Sequence, residues 1–195
     1  MKHSGKIAFS AGLLLALHLG WRQFPDVLYS KTDQPLQFSH KVHVEGSGMS
    51  CEDCHSVRDD GRFTGIPPIA KCAECHAEPL GTTPHEKVLV EKYVATLTEI
   101  PWHVYSRQPD NVYFPHAAHV KTAKLACESC HGEHGKTENL RPYEQNRISG
   151  YSRDIWGPSI SRISLKGERL GMKMDDCIDC HTEKKLRHSC LDCHK

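Results

Sequence analysis

One apolar run stands apart from the rest of this chain. From Ile7 to Trp21 the only strongly polar side chains are Ser10 and His18, with Lys2 and Lys6 before the run and Arg22 closing it. That layout fits a signal peptide or a membrane anchor. No small-x-small cleavage site follows, Trp21 falls where an interfacial aromatic would sit, and Lys6 and Arg22 could snorkel. The pattern therefore predicts a retained N-terminal membrane helix over residues 1–28. Fifteen residues rise only about 22 Å as a helix, against a hydrocarbon core of about 30 Å, so this short anchor would lean on the helices of a partner. Lys2 and Lys6 place the N-terminus on the cytoplasmic side and residues 29–195 on the opposite face of the inner membrane.

Beyond residue 28 the apolar positions scatter. One helix is predicted from Glu86 to Leu97, ending before Ile100-Pro101. Residues 139–174 carry seven basic side chains (Arg141, Arg147, Arg153, Arg162, Lys166, Arg169, Lys173) against three acidic ones (Glu144, Asp154, Glu168), with Ile155, Trp156, Ile160, Ile163 and Leu165 among them. This stretch reads either as a loop folded over cofactor edges or as a docking arm for another subunit. Apolar residues make up 38% and aromatics 7% of the 195 residues, below the apolar share of an ordinary globular domain. The chain lacks the apolar mass for a conventional core.

The ten cysteines supply the reason. All fall in five copies of Cys-x-x-Cys-His: Cys51-Cys54-His55, Cys72-Cys75-His76, Cys127-Cys130-His131, Cys177-Cys180-His181 and Cys190-Cys193-His194. Structural zinc uses such pairs in fours with more distant histidines, a thioredoxin-like motif occurs once, and disulfides demand no following histidine. Five of five with no stray thiol identify c-type haem attachment, the thiols bonding the porphyrin vinyls and the histidine binding iron. Five haem c groups would supply the missing apolar mass. The expected fold is mostly irregular and α, packed on haem, with short helices and little sheet. Haem also changes the charge. The polypeptide is formally +1, but with ten propionates and five ferric irons the oxidised holoprotein carries about −4, and the reduced one about −9. Such a surface excludes nucleic acid as a partner. Haem c attachment also takes place on the periplasmic side, in agreement with the charge pattern around the apolar run.

A low-spin haem iron takes a second axial ligand, and ten of the fifteen histidines lie outside the attachment motifs: His3, His18, His40, His43, His85, His103, His116, His119, His134 and His188. Four of them form an internal repeat. Phe38-Ser39-His40-Lys41-Val42-His43 precedes the first motif, and Phe114-Pro115-His116-Ala117-Ala118-His119 precedes the third at the same spacing. The repeat divides the periplasmic part into units of about 36–76 and 112–195. Histidines three apart share a helix face, so each pair can serve two irons. Of the four methionines, Met1 is terminal and Met49, Met172 and Met174 crowd the cysteines, which leaves histidine as the sixth ligand.

These motifs resemble the class III cytochromes of the c3 and c7 type. The resemblance implies that His40 binds the haem of Cys51–Cys54, His43 that of Cys72–Cys75, His116 that of Cys127–Cys130 and His119 that of Cys177–Cys180. His134 is the expected fifth distal ligand, ahead of His188, His85 and His103. A wider resemblance covers most of the chain. The anchor, the five motifs and the segment Ile100-Pro101-Trp102…Pro109-Asp110-Asn111-Val112-Tyr113-Phe114-Pro115-His116-Ala117-Ala118-His119-Val120 look like the multihaem cytochrome subunits of menaquinone reductase complexes, themselves related to the pentahaem subunit of alternative complex III. Alternative-complex relatives carry a histidine shortly after the Pro-Trp segment, where this chain has Ser106, and that difference favours the reductase. The reductase subunit is described with six haems; this chain has attachment motifs for five. The resemblance implies a non-catalytic subunit that accepts electrons from a soluble periplasmic cytochrome c3. It would relay them to iron–sulfur, molybdopterin-type and membrane subunits, where menaquinone is reduced. The competing classes are a self-sufficient anchored quinol dehydrogenase, which needs an open or unusual haem ligand near the membrane, and a reductase of a small oxyanion, which needs a vacant distal site lined by Arg, Tyr or Lys.

The intact mass of the denatured holoprotein is expected to show five covalent haems. Fewer than five would contradict the motif reading, and a sixth would require an attachment of another kind.

Overall fold

The computed structural model describes residues 4–62, 64–154 and 172–194. Within them the chain is a series of short helices joined by irregular segments, with one two-stranded ribbon. In order these are α1 (Ser4–His18), a π-helical turn (Leu19–Gln23), α2 (Phe24–Val27), β1 (Tyr29–Thr32), a second π-helical turn (Val42–Gly46), α3 (Cys51–Cys54) and α4 (Ile69–Ala73). There follow α5 (Pro84–Val88) continued by a π-helical turn (Leu89–Val94), another such turn (Ala117–Thr122), α6 (Glu128–His131), a 3-10 turn (His134–Lys136), β2 (Tyr143–Asn146), α7 (Met174–Glu183) and α8 (Cys190–Cys193).

The helix expected from Glu86 is present but starts earlier, because Thr83 caps it. The Thr83 hydroxyl accepts from the Glu86 amide at 3.1 Å, and Pro84 fills the first turn, where no amide donor is needed. The short helices at the attachment motifs have a similar local cause. Ser50 and Asp53 form a capping box on α3, as Ser189 and Asp192 do on α8.

The membrane helix expected at the N-terminus is corrected in extent. Among the described residues no helix is long and apolar enough to cross a membrane. The α-helical geometry gives way to a π-helical turn after His18. The helical course nevertheless continues through that turn and α2 to Val27. No side chain of α1 is buried, and Phe9 is 72% exposed.

Past Val27 the chain turns into the ribbon. β1 pairs antiparallel with β2 in the register Tyr29↔Asn146 to Thr32↔Tyr143. Glu144 bridges it through Lys31 (3.1 Å) and Arg153 (2.8 Å), and Arg147 donates to the carbonyls of Leu28 and Val27. The root of the N-terminal helix is thereby tied to the second half of the chain.

The apolar core is small. Leu36, Ile69, Tyr93, Val94 and Ile100 are buried, with Cys72, Ala73, Leu89 and Trp102 packed against them. It sits where α4 meets the π-helical turn of Leu89–Val94, so the second attachment motif grows directly from it. The Glu99 carboxylate secures that junction by accepting from the Ile69 amide at 3.0 Å. A second seam joins the first and third motifs. The Ala117 and His116 amides donate to the carbonyls of Gly61 and Arg62. Gly61 has φ +68°, and a Cβ there would lie 3.1 Å from that of Ala117; a side chain would be strained by the conformation and tight against Ala117. Much of residues 139–174, including Ile155, Trp156, Ile160, Ile163 and Leu165, lies outside the described residues.

Ile69→Ala should lower the stability of the oxidised holoprotein by about 2–5 kcal/mol, as for other large-to-small core changes, read as a lower guanidinium midpoint at the Soret band. Leu191→Ala, at a side chain 84% exposed, should change it by no more than about 0.5 kcal/mol.

Candidate haem-binding sites

Each attachment motif is one turn of helix. The amide of the final histidine bonds back to the carbonyl of the first cysteine in four of them: His55 to Cys51 at 2.8 Å, His76 to Cys72 at 2.9 Å, His131 to Cys127 at 3.0 Å and His194 to Cys190 at 2.9 Å. His181 lies within the longer α7. The turn brings the first thiol and the imidazole to one face, as a single porphyrin requires. All ten cysteines are free thiols in the structure, so none is consumed by a disulfide.

The two Phe-x-His-x-x-His segments fold alike. Phe38 stacks on His43 (4.3 Å between centroids, 22°) and meets His40 edge-on (4.9 Å, 83°); Phe114 stacks on His119 (4.4 Å, 22°) and meets His116 edge-on (4.8 Å, 87°). The phenylalanine therefore fixes both rings of each pair. This role is not contained in the spacing of the histidines alone.

Imidazoles then face one another across gaps of a particular size. His43 and His76 are 6.0 Å apart, His119 and His181 6.1 Å, and His116 and His131 6.4 Å, the last pair within 3° of parallel. A metal–imidazole bond of about 2.0 Å puts a ring centroid about 3 Å from the metal, so two imidazoles on opposite sides of one iron stand about 6 Å apart. The three pairs fit that requirement, each joining a predicted distal histidine to the histidine of the expected motif. His40 faces His134 at 6.3 Å. Both also lie close enough to His55 for its charge to bear on them. His134, the expected fifth ligand, thus stands beside the first motif, with His40, His55 and Arg141 as neighbours.

The backs of seven rings are held. His55 Nδ1 donates to the Gly65 carbonyl (2.9 Å), His43 to Ser39 (2.8 Å), His119 to Pro115 (3.0 Å), His181 to Arg187 (3.0 Å) and His116 to Arg62. His40 Nδ1 meets the Thr137 hydroxyl at 3.1 Å, and His76 Nδ1 donates to the Glu86 carboxylate at 2.7 Å. A Nδ1–H committed to an acceptor leaves Nε2 with the lone pair that binds iron. Burial, reinforced by the nearby His134, His55 and His43, pushes His40 down to about 4, and burial likewise lowers His131 and His134. All three are neutral, the ligand form, at physiological pH. Burial opposes ionisation of Glu86, but the Leu80 amide and His76 hold its carboxyl below the usual range.

The motifs lie in a definite order. Cys72 is next to Cys54, and Cys51 is next to Cys127 and Glu128, burial being the larger cause of the raised pKa at Cys72 and Cys51 and the neighbouring acidic groups the next. Cys51 Sγ is 3.9 Å from the Glu128 carboxylate. Cys177, pushed up to about 11 chiefly by burial, lies among Cys193, Cys130 and Cys180. The fifth motif is fixed by the Tyr113 amide donating to the Cys193 carbonyl at 2.7 Å and by a bridge between Val112 and His194. The neighbours run second, first, third, fourth, fifth. Among the remaining histidines, His103 stacks on Tyr143 at 5.5 Å, His85 Nδ1 is 3.5 Å from the Gln37 amide, and His188 is exposed with its Nδ1 on the Leu186 carbonyl. The holding groups Gly65, Arg62 and Arg187 act through backbone carbonyls, which leave no mark in a sequence. Glu86 left only its Thr-Pro-x-Glu capping pattern.

Comparison with known proteins agrees with this geometry. Residues 22–96 match the class III cytochrome C family, and residues 112–195 match cytochrome c7 and related cytochrome c. The chain is 38% identical over 206 aligned positions to the multiheme cytochrome c subunit of menaquinone reductase from Nitratidesulfovibrio vulgaris strain Hildenborough, an alignment covering 98% of this chain and 90% of the relative.

His116→Ala should leave the iron of the third motif without its sixth ligand. The expected outcome is conversion of one haem to high spin and a carbon monoxide adduct of one haem in the reduced protein. An unchanged spectrum would show that His116 binds no iron.

Proposed function

The chain belongs to the family of multihaem cytochrome c subunits of menaquinone reductase, and from that premise we propose that it is the electron-transfer subunit of a membrane-bound menaquinone reductase complex. In this reading it accepts electrons from a soluble periplasmic cytochrome c3 and passes them toward iron–sulfur, molybdopterin-type and membrane subunits. The observation that carries the reading is the pairing of imidazoles at 6.0–6.4 Å, with at least one Nδ1 of each pair anchored.

Bound haem c supplies one-electron chemistry. The residues do the rest. Cys51, Cys54, Cys72, Cys75, Cys127, Cys130, Cys177, Cys180, Cys190 and Cys193 hold the porphyrins. His55, His76, His131, His181 and His194 bind on one side, and His43, His116 and His119 cap the other side of the second, third and fourth sites. His40 and His134 share the first. Iron capped on both faces by protein at the second, third and fourth sites would give a small substrate no place to bind there, which favours relay over oxyanion reduction. The order second, first, third, fourth, fifth gives the relay two ends.

The N-terminal helix is the anchor of this proposal. Its α1 segment, Ser4–His18, would rise only about 22 Å, short of a bilayer core of about 30 Å, so it would need the helices of a partner. Its apolar side chains are exposed along their length, among them Ile7, Leu14 and Leu17. It would lie against the helices of other membrane subunits at the inner membrane, with the haem-binding part in the periplasm.

The test is to reconstitute the isolated holoprotein in lipid with reduced cytochrome c3 and a menaquinone analogue. Rapid haem reduction is expected without quinone turnover, and turnover should appear only when the other subunits are added. Quinone reduction by the isolated chain at the rate of the complex would instead make it a self-sufficient quinone enzyme.

A further inference from the structure

The anchored imidazoles are not equivalent. Among the described residues, His43, His55, His116, His119 and His181 turn Nδ1 to neutral backbone carbonyls and His40 to a hydroxyl. His76 alone turns it to a carboxylate, that of Glu86, at 2.7 Å. Both side chains are only 15% exposed, so the charge acts through a medium that screens it less than water does. Glu86 is held in place from three directions. Its amide is capped by Thr83 at 3.1 Å, its Oε1 accepts from the Leu80 amide at 3.0 Å, and the same oxygen takes the His76 proton contact. Across the gap from His76 stands His43, 6.0 Å away.

We propose that Glu86 is a redox-positioning residue, whose carboxylate makes His76 the most electron-donating histidine of the chain and the haem of Cys72–Cys75 the most negative of the five. This rests on the haem-ligation reading above. A carboxylate on the far nitrogen raises the basicity of a metal-bound imidazole and orients its ring. Added negative charge near the iron stabilises the ferric form over the ferrous form and lowers the potential. A neutral carbonyl orients the ring equally well but donates less charge. The second motif also lies at one end of the order of motifs, so the most negative site is terminal.

The experiment is a reversible spectroelectrochemical titration of the full-length holoprotein in detergent, comparing wild type with Glu86→Gln and Glu86→Asp. Gln keeps an acceptor for the Leu80 amide and for His76 but removes the charge; Asp keeps the charge. In E86Q one of five waves should move positive by about a tenfold change in its reduction equilibrium, equivalent to about 59 mV for one electron. E86D should return most of that shift. A purely structural role for Glu86 would move no wave in E86Q. In the wild type, nuclear magnetic resonance should assign the lowest of the five potentials to the haem whose methyl protons contact Cys72 and Cys75, a measurement independent of any variant. An E86Q titration superimposed on wild type, or the lowest potential assigned to another haem, overturns the proposal. Intact mass and the low-spin spectrum report separately on ligation: a low-spin second haem with no shift defeats the role of Glu86 alone, whereas absence of haem from the second motif of the wild type defeats the ligation reading itself.

Discussion

The architecture depends on one constraint: imidazoles must be presented in pairs about 6 Å apart by a chain too polar to organise itself around a core. Five buried apolar residues near the second motif are the whole of the core among the described residues. Elsewhere, order comes from single helical turns, from capping boxes such as Ser50–Asp53 and Ser189–Asp192, and from backbone carbonyls that grip histidine rings. Those carbonyls do two things at once. The Arg62 carbonyl accepts from the amide and ring of His116, and Gly65 three residues later holds His55. One short loop thus registers the first motif against the third, and the glycine at position 61 allows the close approach.

The chain repeats this solution. Phe38 with His40 and His43, and Phe114 with His116 and His119, agree in ring separation to within about 0.1 Å. In each case one turn of helix delivers two histidines, and the phenylalanine sets their mutual angle. Repeating the unit lengthens the row of sites without enlarging the core, and so a 195-residue chain can carry five attachment motifs. The two-stranded ribbon then fastens the N-terminal helix to the second unit through Glu144, Lys31 and Arg153.

Much of the site was legible in the sequence, because covalent haem attachment leaves an obligatory pattern and paired histidines leave a helical one. His43, His116 and His119 stand opposite the histidines that the resemblance assigned to them. The helix near Glu86 was also legible, with its start displaced by the Thr83 cap. The ribbon was not, since Tyr29–Thr32 and Tyr143–Asn146 are short and pair over more than a hundred residues. The position of His134 beside the first motif was hidden for the same reason: adjacency between units is set by tertiary contacts such as the Lys41 amide on the Thr137 carbonyl. Glu86 was invisible as a ligand partner because a capping glutamate and a histidine-orienting glutamate look identical in sequence. The N-terminal run was read as a single membrane helix, whereas a π-helical turn at Leu19–Gln23 divides its helical course into segments too short to span singly.

Electron paramagnetic resonance of the fully oxidised holoprotein is the most direct test of iron capped by facing histidines. The second, third and fourth motifs have such partners and His40 and His134 stand beside the first, so these four irons should give only low-spin signals, with no exogenous ligand binding on addition of cyanide or azide at modest concentration. High-spin signal integrating to more than one iron per chain would contradict the account, since it would place open coordination sites where the imidazole pairs stand.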